Sequence, residues 1–164
     1  MNSQRTSLAF GAVMAFAVIL GIDIVSAFAQ AGDPRVGTWK LNVEKSKFSP
    51  GPPPQSNTLK IEASGREEKI TTEGVNAQGA RTGTQYTANY DGKDYPLTGS
   101  QMANTVSLRR IDARITERTD KKDGKVVQTL TRVVSEDGKT MIVRASGTNA
   151  QGQTLETVAV WERQ

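Results

Sequence analysis

The stretch Gly37-Thr38-Trp39-Lys40-Leu41-Asn42 (GTWKLN) and the last five residues, Val160 to Gln164 (VWERQ), carry the two tryptophans of this 164-residue chain. Both stretches have the composition of β-strands, and the second carries a basic residue, Arg163, two positions after its tryptophan, Trp161. A sheet that joins its first and last strands exposes no edge, and a guanidinium over an indole face gains cation–π energy. The two stretches therefore suit the closure of a β-barrel.

Turn sequences recur at short intervals between these two stretches. Asp-Gly occurs at residues 91–92, 123–124 and 137–138, where it supplies the positive φ angles that tight hairpins require. The segments between the turns are rich in alternating and β-branched residues, and none after residue 30 has a helical period. With an opening strand around Trp39, the predicted strands cover residues 58–63, 69–75, 82–90, 95–98, 105–111, 115–119, 126–134, 140–146 and 154–161.

Strands at hairpin spacing predict an all-β antiparallel sandwich or up-and-down barrel, here of eight to ten strands. Thr, Gln and Ser occur at alternating positions where a solid core would have Val or Leu, which favours a barrel with a partly polar lumen. Residues 49–54, SPGPPP, cannot continue a ladder of hydrogen bonds, so we interpret them as a stiff strap between the first two strands.

The first 29 residues have the layout of a secretory signal peptide. Arg5 precedes an apolar run from Leu8 to Ile22, and small residues follow at Ala27-Phe28-Ala29. The run is shorter than the ~20 residues of a spanning helix, which argues against the alternative of a membrane anchor. The sequence predicts a signal-peptide helix at 1–29, one barrel domain at 30–164, and a periplasmic or secreted protein without stable membrane insertion after cleavage.

The composition excludes several classes of function. The chain has neither Cys nor His, so Ser-His and Cys-His nucleophiles and the usual zinc sites are absent. Residues 120–125, DKKDGK, lack the ligand pattern of a calcium loop, and we interpret the acidic pairs Glu67/Glu68 and Asp120/Asp123 as solvated. A net charge of +4 with mixed signs and 5% aromatic residues does not indicate nucleic-acid binding. We expect a monomer that is not an enzyme and has no cofactor or metal.

On GTWKL, the Asp-Gly-Lys turns and the terminal Trp-Glu-Arg, the chain resembles the calycins, the superfamily of lipocalins and fatty-acid-binding proteins. It is also similar to small exported bacterial proteins with GTWKLN and YDGKDYP stretches. The resemblance implies that Trp39 packs inside the closed end of the barrel, with Arg163 across its ring and Gly37 beside it. It also implies that the barrel binds a small apolar or amphipathic molecule.

The sequence departs from the fatty-acid-binding branch at two places. The proline-rich strap leaves no room for the helix-turn-helix lid that follows the first strand there, so we expect no helical lid. The last strand of that branch carries Arg-x-Tyr, which holds the ligand carboxylate, whereas the matching positions here are Ala159 and Trp161. An anionic ligand would need another cation, and Trp161 becomes a candidate contact for a different ligand.

Two arginines are candidates for that cation. If the turn between strands at 130–135 and 139–146 has three residues, 136–138, then Leu130, Arg132, Ile142 and Arg144 fall on one face. A two-residue turn would put the two arginines on opposite faces. An inward pair without protein carboxylates would favour an anionic ligand, and the alternative is that both point to water. The candidate ligand contacts are Leu130, Arg132, Ile142, Arg144 and Trp161.

Three classes of function remain open on the sequence. The first is an exported calycin-like barrel that binds a small hydrophobic or amphipathic ligand, anionic ones included. The second is an envelope protein-interaction or inhibitor scaffold with a filled barrel. The third is an enzyme without a cofactor that uses lumenal Tyr, Lys or carboxylates. An apolar lumen would favour the first class, a filled interior the second, and a buried carboxylate or Lys of shifted pKa the third.

The signal-peptide interpretation predicts where the exported chain begins. N-terminal sequencing of the secreted or periplasmic protein should start at Gln30, or at Gly32 if cleavage follows Ala29-Gln30-Ala31. Recovery of the intact 5–22 segment in the membrane fraction would contradict the prediction.

Overall fold

The computed structural model describes residues 32–148 and 152–164 of the chain. The predicted signal-peptide helix lies outside these residues. Within them the structure contains no helix, and therefore none that could cross a membrane. The strands are β1 (Gly37–Ser49), β2 (Ser56–Ser64), β3 (Glu67–Val75), β4 (Arg81–Asn89), β5 (Tyr95–Thr98), β6 (Thr105–Arg110), β7 (Ile115–Lys122), β8 (Lys125–Val134), β9 (Thr140–Thr148) and β10 (Thr154–Arg163).

The ten strands form one closed antiparallel barrel in which each strand pairs with its neighbour in sequence. The circle closes between β1 and β10, where Trp39 lies opposite Arg163 and Leu41 opposite Trp161. The antiparallel up-and-down barrel predicted from the sequence is thereby confirmed. A complete ladder leaves no long edge that could pair with another chain.

The barrel has two different ends. At the closed end, β1 begins, β10 finishes, and the β8–β9 connection passes nearby. At the strap end, residues 50–55 connect β1 to β2. Six apolar side chains of the closed half are at most 2% exposed. These are Trp39, Ile61, Ile70, Leu108, Val134 and Met141.

The closed end is sealed by the contact between Trp39 and Arg163. The guanidinium carbon of Arg163 lies 4.3 Å from the centroid of the Trp39 ring, and the ring is fully buried. Arg163 also donates from Nε to the Gly138 carbonyl at 2.6 Å, from Nη1 to the Val36 carbonyl at 2.7 Å, and from Nη2 to the Pro34 carbonyl. One side chain therefore joins β10, the β8–β9 connection and the segment before β1.

Gly37 makes this contact sterically possible. Its φ of 141° is one that side chains rarely allow, and a Cβ atom there would lie 2.6 Å from Nη1 of Arg163. The guanidinium cannot retreat without breaking its hydrogen bonds to the backbone. In the Gly-x-Trp stretch, the glycine thus leaves space for the guanidinium of Arg163, and the tryptophan supplies the ring that the guanidinium covers.

We predict that Gly37→Ala lowers the free energy of unfolding by about 1 to 3 kcal/mol, because it strains the backbone and displaces Arg163. Denaturant titration measures this loss. In a double-mutant cycle with Arg163→Ala, the cost of Gly37→Ala should shrink, since the displaced group is gone. Strictly additive losses would show that Gly37 and Arg163 act independently.

Candidate functional site

A buried carboxylate lies inside the barrel, next to the closed end. Glu68 on β3 is fully buried, and each of its carboxylate oxygens accepts two hydrogen bonds. Oε1 accepts from Arg132 Nη1 at 3.0 Å and from the Tyr86 hydroxyl at 2.9 Å. Oε2 accepts from Arg35 Nη1 at 3.3 Å and from the Tyr90 hydroxyl. We call these five residues the Glu68 cluster.

Strand register brings the cluster together. Glu68 shares the inward face of β3 with Ile70, and Tyr86 lies opposite Ile70 on β4. Arg132 takes the inward position on β8 that precedes Val134, and its Nη2 donates to the Tyr86 hydroxyl at 2.6 Å. The cluster therefore spans the lumen from β3 and β4 to β8.

The remaining arginine of the cluster comes from the segment before β1. Arg35 is 1% exposed, and its guanidinium lies 4.8 Å from the Tyr90 ring centroid. It also donates to Asp33, through Nε at 2.9 Å and through Nη2. Its backbone carbonyl accepts the indole N–H of Trp39 at 2.9 Å. The cluster and the closed-end seal are thus physically joined.

The ionisation of the cluster follows from these contacts. Burial by itself would raise the pKa of Glu68, but the charge of Arg132 and the hydrogen bonds from Tyr90 and Arg132 outweigh it, so the pKa lies below its usual value. Burial raises the pKa of Tyr86 to about 12, with Arg132 opposing the shift. The carboxylate therefore stays charged and the phenol stays protonated at neutral pH.

A second ion pair lies on the inward face of β7. Arg118 donates to both oxygens of Asp120, at 2.6 Å each, and its guanidinium lies 5.3 Å from the Tyr86 ring centroid. The Asp120 side chain is 2% exposed and that of Arg118 is 15% exposed. The pair is therefore stacked against the Glu68 cluster.

In each of the two acidic pairs that we interpreted as solvated, one residue is exposed and the other is buried. Glu67 is exposed and Glu68 is buried, while Asp123 is exposed and Asp120 is buried. The interpretation was wrong for Glu68 and Asp120 because each occupies an inward-facing position of its strand. The parity of Glu68 with Ile70 is the signal that the sequence offered.

The two candidate arginines lie on opposite sides of the barrel wall. Arg132 faces inward opposite Val143, whereas Arg144 is exposed and lies opposite Thr131. The prediction that Arg132 and Arg144 share a face is wrong. The backbone N–H of Ser135 donates to the Thr140 carbonyl, and four residues lie between these two positions instead of three. An even number of connecting residues reverses the facing.

The other candidate contacts divide in the same way. Leu130 faces inward with Arg132 and is partly exposed, whereas Ile142 shares the outer face with Arg144. Trp161 faces inward and is 8% exposed. Arg132 is already neutralised by Glu68, so the structure does not bring together an unpaired cation pair at these positions.

Exposure of the inward face rises toward the strap end on β1, β8 and β9. On β9 it increases from 0% at Met141 to 8% at Val143, and on β1 from 0% at Trp39 to 6% at Leu41. The next inward residues are partly exposed although apolar. We call the resulting apolar surface the cup, and it consists of Leu41, Phe48, Leu130, Val143, Ala145 and Trp161.

One hydrogen-bond donor of the cup has no partner. Nε1 of Trp161 is buried and donates to no acceptor within residues 32–148 and 152–164. The other indole, Trp39, donates to the Arg35 carbonyl. Buried N–H groups are rarely left unpaired, because each one forfeits its hydrogen bonds to water. Trp161 is therefore the residue of the cup that most directly suggests a bound molecule.

Glu68→Gln should lower the free energy of unfolding by about 3 to 5 kcal/mol, because it leaves the buried Arg132 without a counter-charge. Glu62→Gln on β2 is the matched control, since Glu62 pairs with Lys60 on the surface, where water screens the pair and its removal should cost little. Equal losses in urea titrations of the two variants would contradict a buried charged cluster.

The same cluster predicts the dependence of stability on pH. A carboxyl with a folded-state pKa below its ordinary 4.5 stabilises the fold fully above that pH, and this contribution is lost as the pH falls toward the folded-state value. The stability of the wild type should therefore fall more steeply below pH 4.5 than that of Glu68→Gln. Parallel pH profiles would mean that the pKa of Glu68 is the same in the folded and unfolded chain, and a shallower fall for the wild type would mean that Glu68 is protonated in the folded protein.

Comparison with solved structures identifies the fold. Zebrafish ileal bile acid-binding protein, in its complex with cholic acid, matches with a TM-score of 0.50 at 11% identity, over 80% of this chain and 99% of that chain. The siderocalin Ex-FABP matches with a TM-score of 0.37 at 13% identity, over 81% of this chain and 75% of that one. No family model and no curated protein matches the sequence. The described barrel has the calycin fold, as the sequence resemblance implied.

Proposed function

We propose that this chain is an exported binding protein that holds a small apolar or amphipathic molecule in the cup. The observation that carries the proposal is the unpartnered indole N–H of Trp161 within an apolar surface whose exposure rises toward the strap end. Apolar walls with a few fixed polar groups are the usual composition of small-molecule sites. The zebrafish bile acid-binding protein, whose structure holds cholic acid, shows that a barrel of similar fold can hold a small molecule.

The proposal places no chemistry in the barrel. Glu68 and Asp120 are the buried carboxylates of the described interior, and both are held by arginines. A carboxylate whose pKa lies below its usual value is a poor general base at neutral pH. We therefore favour binding over catalysis, in a monomer that acts in the periplasm or outside the cell.

The scaffold hypothesis has its own support. The closed half of the barrel is filled by the core and the Glu68 cluster, so the accessible interior is limited to the cup. Distinct concave regions also lie outside the lumen, including one at the closed end lined by Asp33, Lys139 and Arg163. A protein that binds only through its outer surface would leave the cup without a ligand.

The test fills the cup with a larger side chain. Ala145 is 8% exposed and faces inward beside Leu130, so Ala145→Phe should occupy the cup and weaken the binding of the neutral fluorescent probe N-phenyl-1-naphthylamine by at least about tenfold. Ser146→Phe is the matched control, because it adds the same ring one residue away on the exposed outer face. Fluorescence titration gives the Kd of each variant.

The outcomes separate the two hypotheses. Saturable binding by the wild type and by Ser146→Phe, with loss in Ala145→Phe, supports the cup. No saturable binding by the wild type, with an intact fold by circular dichroism, would overturn the proposed function and favour the scaffold.

A further inference from the structure

We propose that the ligand of the cup is electrically neutral and presents a hydrogen-bond acceptor, such as a carbonyl oxygen, to Nε1 of Trp161. This inference rests on the proposed function and names the chemical class of its ligand. Two features support it: the arginines inside the barrel are already paired with carboxylates, and the indole N–H is unpaired.

The interior provides its own anions. Arg132 is matched by Glu68, Arg118 by both oxygens of Asp120, and Arg35 by Glu68 together with Asp33. All four positions around the Glu68 carboxylate are occupied by donors. A ligand carboxylate would lose its water without gaining an unpaired cation, and it would meet the charges of Glu68 and Asp120.

Arg163 forms no ion pair with a carboxylate within residues 32–148 and 152–164, but it does not offer a free cation to the cup. It lies across the Trp39 ring and donates to the carbonyls of Pro34, Val36 and Gly138. To reach a ligand in the cup, this cation would have to leave the Trp39 ring and break its three hydrogen bonds to the backbone.

Trp161 supplies the complementary polar group. Its indole lies on the inward face, opposite Leu41 on β1 and Met141 on β9. The backbone groups on either side belong to the β1–β10 and β9–β10 ladders, so an added acceptor has to approach from inside the barrel. An indole nitrogen donates and never accepts, which means that the ligand contributes the acceptor.

The experiment compares three small probes of similar shape with different polar groups: ethylbenzene, acetophenone and benzoate. Each competes with N-phenyl-1-naphthylamine for the wild type and for Trp161→Phe, a variant that keeps an aromatic ring but removes the N–H. We expect the Kd of acetophenone to rise about two- to tenfold in Trp161→Phe, the contribution of one neutral hydrogen bond, while that of ethylbenzene stays within a factor of two. Benzoate should bind the wild type more weakly than acetophenone.

Indole NMR gives a readout that altered packing alone would not produce. The chain has two tryptophans and therefore two indole N–H resonances, and the one that disappears in Trp161→Phe belongs to Trp161. Acetophenone should shift that resonance downfield, in the direction of hydrogen-bond formation, and ethylbenzene should not. Trp39 is the internal control, because its N–H is already bonded to the Arg35 carbonyl at 2.9 Å.

Each outcome separates this inference from the function on which it rests. Saturable probe binding with equal effects of Trp161→Phe on acetophenone and ethylbenzene would overturn the inference and leave the binding function standing. Tighter binding of benzoate than of acetophenone would likewise overturn it. Failure of the fluorescent probe to bind the folded wild type would remove the proposed function itself.

Discussion

The interior of this barrel is organised by the need to pair one buried charge. A carboxylate removed from water is strongly destabilising unless opposite charges and hydrogen bonds replace its solvent shell. Glu68 meets that need with two arginines and two tyrosine hydroxyls. The tyrosines lie on β4 and just after it, one arginine lies on β8, and the other precedes β1. Because these donors are far apart in sequence, satisfying the carboxylate also fixes how the strands face each other.

The Glu68 cluster and the closed-end seal depend on the same short segment. Arg35 reaches inward to Glu68, while its own carbonyl holds the indole of Trp39. Arg163 lies across the Trp39 ring and donates hydrogen bonds to the carbonyls of Pro34 and Val36. The few residues before β1 therefore close this end of the barrel. They contact the Glu68 cluster on one side and Arg163 of β10 on the other. This arrangement fills the closed half of the barrel with the core and the Glu68 cluster.

The sequence was informative where local chemistry decides structure. Asp-Gly turns and alternating segments predicted the hairpins, and the Gly37, Trp39 and Arg163 pattern indicated how the ends meet. It was harder to predict which side of the barrel wall a side chain faces, because the orientation of Arg144 depends on whether the β8–β9 connection has an odd or even number of residues. The Glu68 cluster was missed for a different reason: an acid beside another acid is usually solvated, and only the long-range pairing of strands shows that Arg132 and Tyr86 are within reach.

The unpaired N–H of Trp161 could not be inferred from the sequence either, since every other residue that could accept from it had to be placed first. Its discovery changes the expected ligand. The sequence resemblance directed attention to cations that would hold a carboxylate, whereas the structure has a carboxylate of its own and an unused donor. The same fold can thus be adapted to a neutral molecule by placing the anion on the protein.

A crystal structure of the protein purified from its native source, with whatever molecule accompanies it, tests this account most directly. The account predicts density in the cup with a neutral oxygen within about 3.2 Å of Trp161 Nε1, and a Glu68 carboxylate that still holds Arg132. A ligand carboxylate bound to Arg132, with Glu68 displaced from the arginine, would contradict it.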